Sequence, residues 1–301
     1  MDARRVRPAE NANSVAVEQV KGLLRRLPKR PAVPLFVFDA GYDAARLSRE
    51  LAGRSQQLLV RLNSRRCFYA DPPEAPPGAP GRPRRHGRKF VCKDPATWPE
   101  PTAEHLCRDV EYGEVRVRAW SGLHPKLQTR PRGEAFDKPP IVRGTVVLVE
   151  VGRLPRETRE PRALWLWWVG PGEPDLSLLW RAYCRRFDLE HAFRFLKETL
   201  GWTSPRVRHP EQADLWTWLI VASYSQLRLA RRVVTDRRLP WEPRYPPRHL
   251  TPVRVLRGFS SLLPSLGTPA EPPKPCGRSP GRPKGSLSGR AKRYPAVKKA
   301  T

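Results

Sequence analysis

Four apolar residues, Leu35-Phe36-Val37-Phe38, run without alternation straight into Asp39 and then Gly41. A strand with one solvated face alternates apolar with polar, so this unbroken run predicts a strand covered on both faces, as in a parallel sheet. A helix over residues 44–51 and a second strand over Gln57–Leu62 complete a β-α-β unit. The C-terminal end of such a strand is where open α/β sheets place their chemistry. A lone carboxylate buried there is costly unless it is paired or binds a metal. Asp39 is therefore the first candidate functional residue.

The flanking segments can be read on the same terms. Residues 14–27 carry Val17, Val20, Leu23, Leu24 and Leu27 at helical spacing, with Asn13 or Ser14 as the cap and Pro28 as the stop. Beyond about residue 63 a Pro/Gly/Arg loop is followed by short strands: residues 115–119 alternate apolar with arginine, and residues 141–151 are rich in valine. The run ALWLWWVG at 163–170 predicts another buried strand, its tryptophans belonging to a core. One long helix is expected over 176–200, opened by Asp175 and closed by Gly201. A second, over 211–231, is apolar nearly all round in its middle, which predicts burial. From about residue 271 the tail carries nine basic residues and one acid with almost no apolar content, so disorder is expected there.

Composition narrows the class of function. The 301 residues hold 57 Lys plus Arg against 29 acids, a formal net charge of +28, which favours a polyanionic partner such as nucleic acid. A GC-rich coding bias accounts for part of that excess but not for its clustering. The 36 prolines imply many loops. Five cysteines without a CxxC pair disfavour zinc fingers and a disulfide framework, and point to a reducing compartment. The N-terminal residues have no apolar signal core, and no apolar run is long enough to span a bilayer, so a cytoplasmic, nucleoid-associated chain is expected. No Gly-rich phosphate loop or HExxH pair is present.

The expected helix over 176–200 carries the second acid. At about 100° per residue, Leu189, Ala192, Phe193, Leu196 and Leu200 form one core-facing stripe, and Tyr183, Arg186, Glu190 and Lys197 fall in a sector of roughly 60° beside it. Arg186 and Glu190 at i,i+4 also describe an ordinary surface pair. Two or three converging carboxylates are what metal-assisted phosphoryl transfer needs to hold Mg²⁺, with nearby cations gripping the DNA backbone.

The string from Tyr183 through Arg186 and Glu190 to Lys197 resembles the Y-(2)-R-(3)-E-(6)-K signature of one branch of the DDE insertion-sequence transposases, with every spacing in agreement. DAGYD at 39–43 resembles the region of that branch's second catalytic aspartate, and RRFDLEHAFRFLKETLGW resembles its actinobacterial type. The resemblance implies an α/β, RNase H-like fold interrupted by a β-rich insertion. It also implies Mg²⁺ or Mn²⁺ as cofactor, and double-stranded DNA (transposon ends and target) as partner of a homodimer in a synaptic complex. Carried over, Asp39 and Glu190 would be the second and third metal ligands, and Tyr183, Arg186 and Lys197, with Arg194 in the same tract, would contact DNA. Asp43 competes with Asp39 but reads better as a helix cap.

Such a fold carries its first aspartate on a strand ahead of the first helix. Asp2, the only aspartate before Asp39, lies in a charged leader without strand pattern. The expectation is thus a partial RNase H-like core whose first strands and first acid are missing, inactive on its own. The parts are 1–62 and 156–262 as core, 63–155 as β-rich insertion, and 263–301 as basic tail. The tracts around Arg82, Arg84 and Arg85 and around Arg282 and Lys284 each hold a Gly-Arg-Pro core that resembles the minor-groove AT-hook. A Pro-rich basic loop binding phosphates without preference explains them as well. The alternative for the whole chain is a non-catalytic basic DNA-binding protein that retains the fold.

Overall fold

The computed structural model describes residues 2–28, 32–74, 84–125, 141–154 and 163–262. The chain divides into two compact units: Ala9–Phe187, and Asp188–Thr301 with Met1–Pro8.

The unit Ala9–Phe187 is built on one eight-stranded sheet. Helix α1 (Ala12–Arg26) precedes strand β1 (Leu35–Phe38), helix α2 (Ala44–Glu50) and strand β2 (Gln57–Leu62). Then come β3 (Cys67–Tyr69), β4 (Lys89–Val91), β5 (Ala103–Asp109), β6 (Gly113–Pro125), β7 (Gly144–Val151) and β8 (Leu164–Val169). The order across the sheet is β1-β2-β8-β7-β6-β3-β4, with β5 on β6. The expected β-α-β unit is present, β1 and β2 pairing parallel with Leu35 opposite Gln57. All other pairings are antiparallel. Strands β6 and β7 are integral to this sheet, since β7 is the partner of β8.

Strand β1 packs on both faces as expected, Phe36 and Phe38 against one core cluster and Leu35 and Val37 against the other, but all four residues are only half-buried. It stands at the sheet edge and pairs with β2 alone among the described residues. An apolar run reports what a strand is made of, and its position in the sheet is a tertiary matter.

The tryptophan-rich strand β8 is the core, as its sequence predicts: Trp165, Trp167 and Trp168 are buried. Trp167 stacks on Phe68 at 5.1 Å between centroids and donates through Nε1 to Ser48 Oγ of α2 at 3.0 Å. Gly144 is required beside it, because a Cβ there would come within 2.5 Å of the indole. Helix α1 is capped by Asn11, whose side chain accepts from Ser14 N–H at 3.0 Å while Ser14 Oγ accepts from Asn11 N–H, a reciprocal capping box. Asn13, one of two expected caps, instead accepts the Asp43 N–H at 2.8 Å and ties α1 to the turn after β1.

The long helix expected over 176–200 is broken. Helix α3 (Leu176–Cys184), opened by Asp175 as expected, ends in a tight turn where Arg186 N–H bonds back to Tyr183 C=O. Helix α4 (Phe187–Arg194) follows, and the chain then widens into a π-turn over Phe195–Thr199, closed by Leu200 N–H to Phe195 C=O. Gly201, at φ +72°, ends it where a side chain would be strained. The expected core stripe is only partly buried, Leu196 lying inside and Leu189 and Phe193 remaining exposed. Helix α5 (Pro210–Ala230) also departs from expectation, for only Ile220, Leu227 and Ala230 are buried. Leu227 and Ala230 pack with Phe195, Val234, Leu250 and with Val255 of helix α6 (Pro252–Gly258) in a small separate core. No helix among the described residues is long and apolar enough to cross a membrane.

Trp167→Ala should destabilise the protein by about 3–5 kcal/mol, because a fully buried stacked indole leaves a cavity and its hydrogen bond to Ser48 Oγ is lost. Urea unfolding followed by tryptophan fluorescence measures it, and a loss below about 1 kcal/mol would show that β8 is not the core.

Candidate functional site

The residue that the apolar run delivers, Asp39, follows the last residue of β1 and folds into a tight turn. Its Oδ1 accepts the Ala40 N–H at 2.8 Å, and its carbonyl accepts the Tyr42 N–H at 3.2 Å. Asp43 caps α2, its side chain accepting from Arg46 N–H at 3.1 Å. The two aspartates thus separate by job. Asp43 holds backbone, whereas Asp39 presents a carboxylate that is 49% exposed.

Three side chains reach Asp39 from the far part of the chain and from the neighbouring strand. The hydroxyl of Tyr183, a buried residue of α3, donates to Asp39 Oδ1 at 3.4 Å. Arg186 Nη1 lies 3.6 Å from Oδ2, and Arg61 Nη1 of β2 lies 3.8 Å from Oδ1. The Arg186 side chain is 11% exposed and lies over the rings of Tyr183 and Phe187 at 5.4 and 4.9 Å. Burial pushes the Tyr183 phenol up, so it stays protonated and remains a donor at neutral pH. The sequence singles out Tyr183 and Arg186 but not Arg61, the one exposed position in β2 and the break in its apolar run over 58–62. A single arginine interrupting an apolar strand is the only signal that could have found it.

The other motif residues lie in the second unit. Glu190 and Arg194, on α4, and Lys197, in the π-turn, are all exposed. The tight turn at Arg186 and the wide turn at Phe195–Thr199 invalidate a uniform 100° wheel from Tyr183 to Lys197. His191, expected to pack, is exposed. Of the basic loop residues, Arg84 is exposed and Arg85 half-buried, and Arg82, Arg282 and Lys284 lie outside the described residues.

A divalent cation does not fit Asp39 in this arrangement. Two guanidinium groups share the one carboxylate, leaving the cluster with excess positive charge, and a metal ion needs the reverse. Among the described residues, no three His, Cys, Asp or Glu side chains gather in a way that could hold a metal. The ion pairs themselves contribute little stability, since exposed pairs are worth at most about 1 kcal/mol. What the cluster can do is hold a carboxylate in a fixed orientation beside surplus cationic charge.

A family model described as DDE superfamily endonuclease matches residues 2–126. The matched region holds Asp39 and Arg61 and stops before Tyr183, Arg186 and Glu190. No curated protein matches the chain. Residues 2–126, less than half of the chain, are thus similar to DDE superfamily endonucleases, and the mixed α/β architecture is compatible with an RNase H-like fold.

Asp39→Asn should change the unfolding free energy by less than about 1 kcal/mol, because its partners act across solvent. Tyr183→Ala, which empties a buried site, should cost about 3–5 kcal/mol. Chemical denaturation of both variants separates the roles, and a loss above about 3 kcal/mol for Asp39→Asn would make the carboxylate a structural group.

Proposed function

We propose that the chain is a DDE-type transposase component of the Y-(2)-R-(3)-E-(6)-K branch, acting on DNA and carrying two of the three acids that this chemistry requires. The observation that supports this most is the meeting of Tyr183 and Arg186 with Asp39, 144 positions apart in sequence for the tyrosine.

Asp39 and Glu190 are the acids in this reading, and Arg186, Arg194 and Lys197 supply positive charge for phosphates. Phosphate contacts of this kind position DNA without reading its sequence. The described residues ahead of β1 form a helix and no strand, so the first acid is not among them. Mg²⁺ or Mn²⁺ is the cofactor that the reading calls for, and its binding requires a further carboxylate beside Asp39. The chain alone is accordingly expected to bind DNA without cutting it, and the assembly implied is a homodimer on transposon ends. A second reading, a DNA-binding protein without catalysis, is favoured by the two arginines that occupy Asp39.

DNA binding to a generic duplex should weaken steeply with salt, with Arg186→Ala and Lys197→Ala each lowering the slope of log K against log salt by about one. Fluorescence anisotropy at several salt concentrations measures this, and a salt-independent affinity would remove phosphate contact as its source. Plasmid nicking with Mg²⁺ or Mn²⁺ tests the acids. Any cleavage by the chain should vanish in Asp39→Asn and in Glu190→Gln, and cleavage that survives both sinks the acid assignment.

A further inference from the structure

The connection from α5 to α6, residues 231–251, carries six arginines and two acids, and both acids are committed to α6. Asp236 pairs with the buried Arg254, and Glu242 pairs with Arg257 at 2.7 Å while accepting the Leu239 N–H at 2.7 Å. Arg232, Arg237, Arg238, Arg244 and Arg248 are exposed, and none has an acidic partner among the described residues. The outside of this loop is therefore basic.

Two aromatic rings stand among those arginines. Trp241 is 78% exposed and Tyr245 is 45% exposed, although tryptophan is highly buried on average. The Trp241 indole makes no hydrogen bond or ring contact among the described residues. Tyr245 is backed on one face, where Arg254 Cζ lies 5.1 Å from its ring centroid. That guanidinium is itself fixed, by two N–H groups donated to the Asp236 carboxylate and one donated to the Pro243 carbonyl at 2.8 Å. Pro240 and Pro243 bracket Trp241, and Pro246 follows Tyr245, so φ is locked close to both rings. The rings are held in place before any ligand arrives.

Arginines alone would serve the phosphates of any duplex. Exposed rings on a stiffened loop ask for something more, a free base face to stack on. The bases of a duplex cover one another, whereas each base of a single strand offers its face to an aromatic side chain. Four positions separate the two rings, so their Cα atoms are at most about 14 Å apart, within reach of one short stretch of strand.

We propose that this loop is a binding site for single-stranded DNA, in which Trp241 and Tyr245 stack on unpaired bases and Arg237, Arg238, Arg244 and Arg248 hold the phosphates. The choice of DNA over RNA rests on the nuclease reading, and the stacking site rests on the loop itself.

Fluorescence anisotropy of the full chain at one fixed salt concentration tests it, with oligo(dT), its duplex with oligo(dA), and an abasic strand of equal length. Trp241→Ala and Tyr245→Ala should each weaken oligo(dT) binding about tenfold and duplex binding less than about twofold. Trp241→Phe and Tyr245→Phe, which keep a ring, should retain most of the affinity, with circular dichroism confirming that every variant folds. The abasic strand has the charge without the bases, and the unsubstituted chain should bind it at least about tenfold more weakly than oligo(dT). Equal losses on single strand and duplex overturn the proposal, as does an abasic strand bound as tightly as oligo(dT). Tighter binding of oligo(rU) than of oligo(dT) overturns the assignment to DNA. None of these arms needs cleavage, so a failure of the nuclease reading and a failure of the stacking site are read separately.

Discussion

Everything in the larger unit hangs on the indole of Trp167. Strand β8 lies between β2 and β7, two strands whose sequence positions are far apart, and Trp167 faces the side on which α2 packs. Its ring rests on Phe68, its N–H is taken by Ser48, and its edge meets the bare backbone of Gly144. Of these contacts the Ser48 bond is the one made to α2, and the turn that carries Asp39 leads into that helix, so packing by a residue more than a hundred positions downstream borders the acid's turn.

What the sequence revealed and what it hid divide along a physical line. Strands β1 and β2 were legible to the residue, because apolar runs bounded by proline, glycine and asparagine leave little choice. The tryptophans of β8 were legible as core for the same reason, and Asp175 and Gly201 as helix ends because caps are local chemistry. The break at Arg186 was not. No proline or glycine interrupts residues 176–200, and the turn is accompanied by a guanidinium that lies over two rings and reaches an acid on another strand. The half-exposure of β1 and the bare face of α5 were hidden likewise, since an apolar pattern states what wants cover and not whether the chain supplies it.

The candidate site was half legible. Asp39, Tyr183 and Arg186 come together, and Asp43 takes the capping role expected of it. Arg61 joins them unannounced, because an arginine in a strand carries no motif with it. Glu190 and Lys197 fall in the other unit, beyond the kink that the uniform wheel ignored. The family match reaches Asp39 and not Glu190.

The edge position of β1 has a consequence for the chain's behaviour in solution. Its outer row of amides and carbonyls is not paired by any described strand, and Leu35–Phe38 hold none of the lysines or prolines that commonly blunt such an edge. Strand addition between copies is opposed at long range by the net charge of +28 on each. Salt shortens the reach of that repulsion to about 10 Å at 0.1 M and about 3 Å at 1 M without weakening backbone hydrogen bonds to the same degree. Rising ionic strength therefore lowers the electrostatic barrier to strand addition at the Leu35–Phe38 edge while leaving the edge itself unchanged.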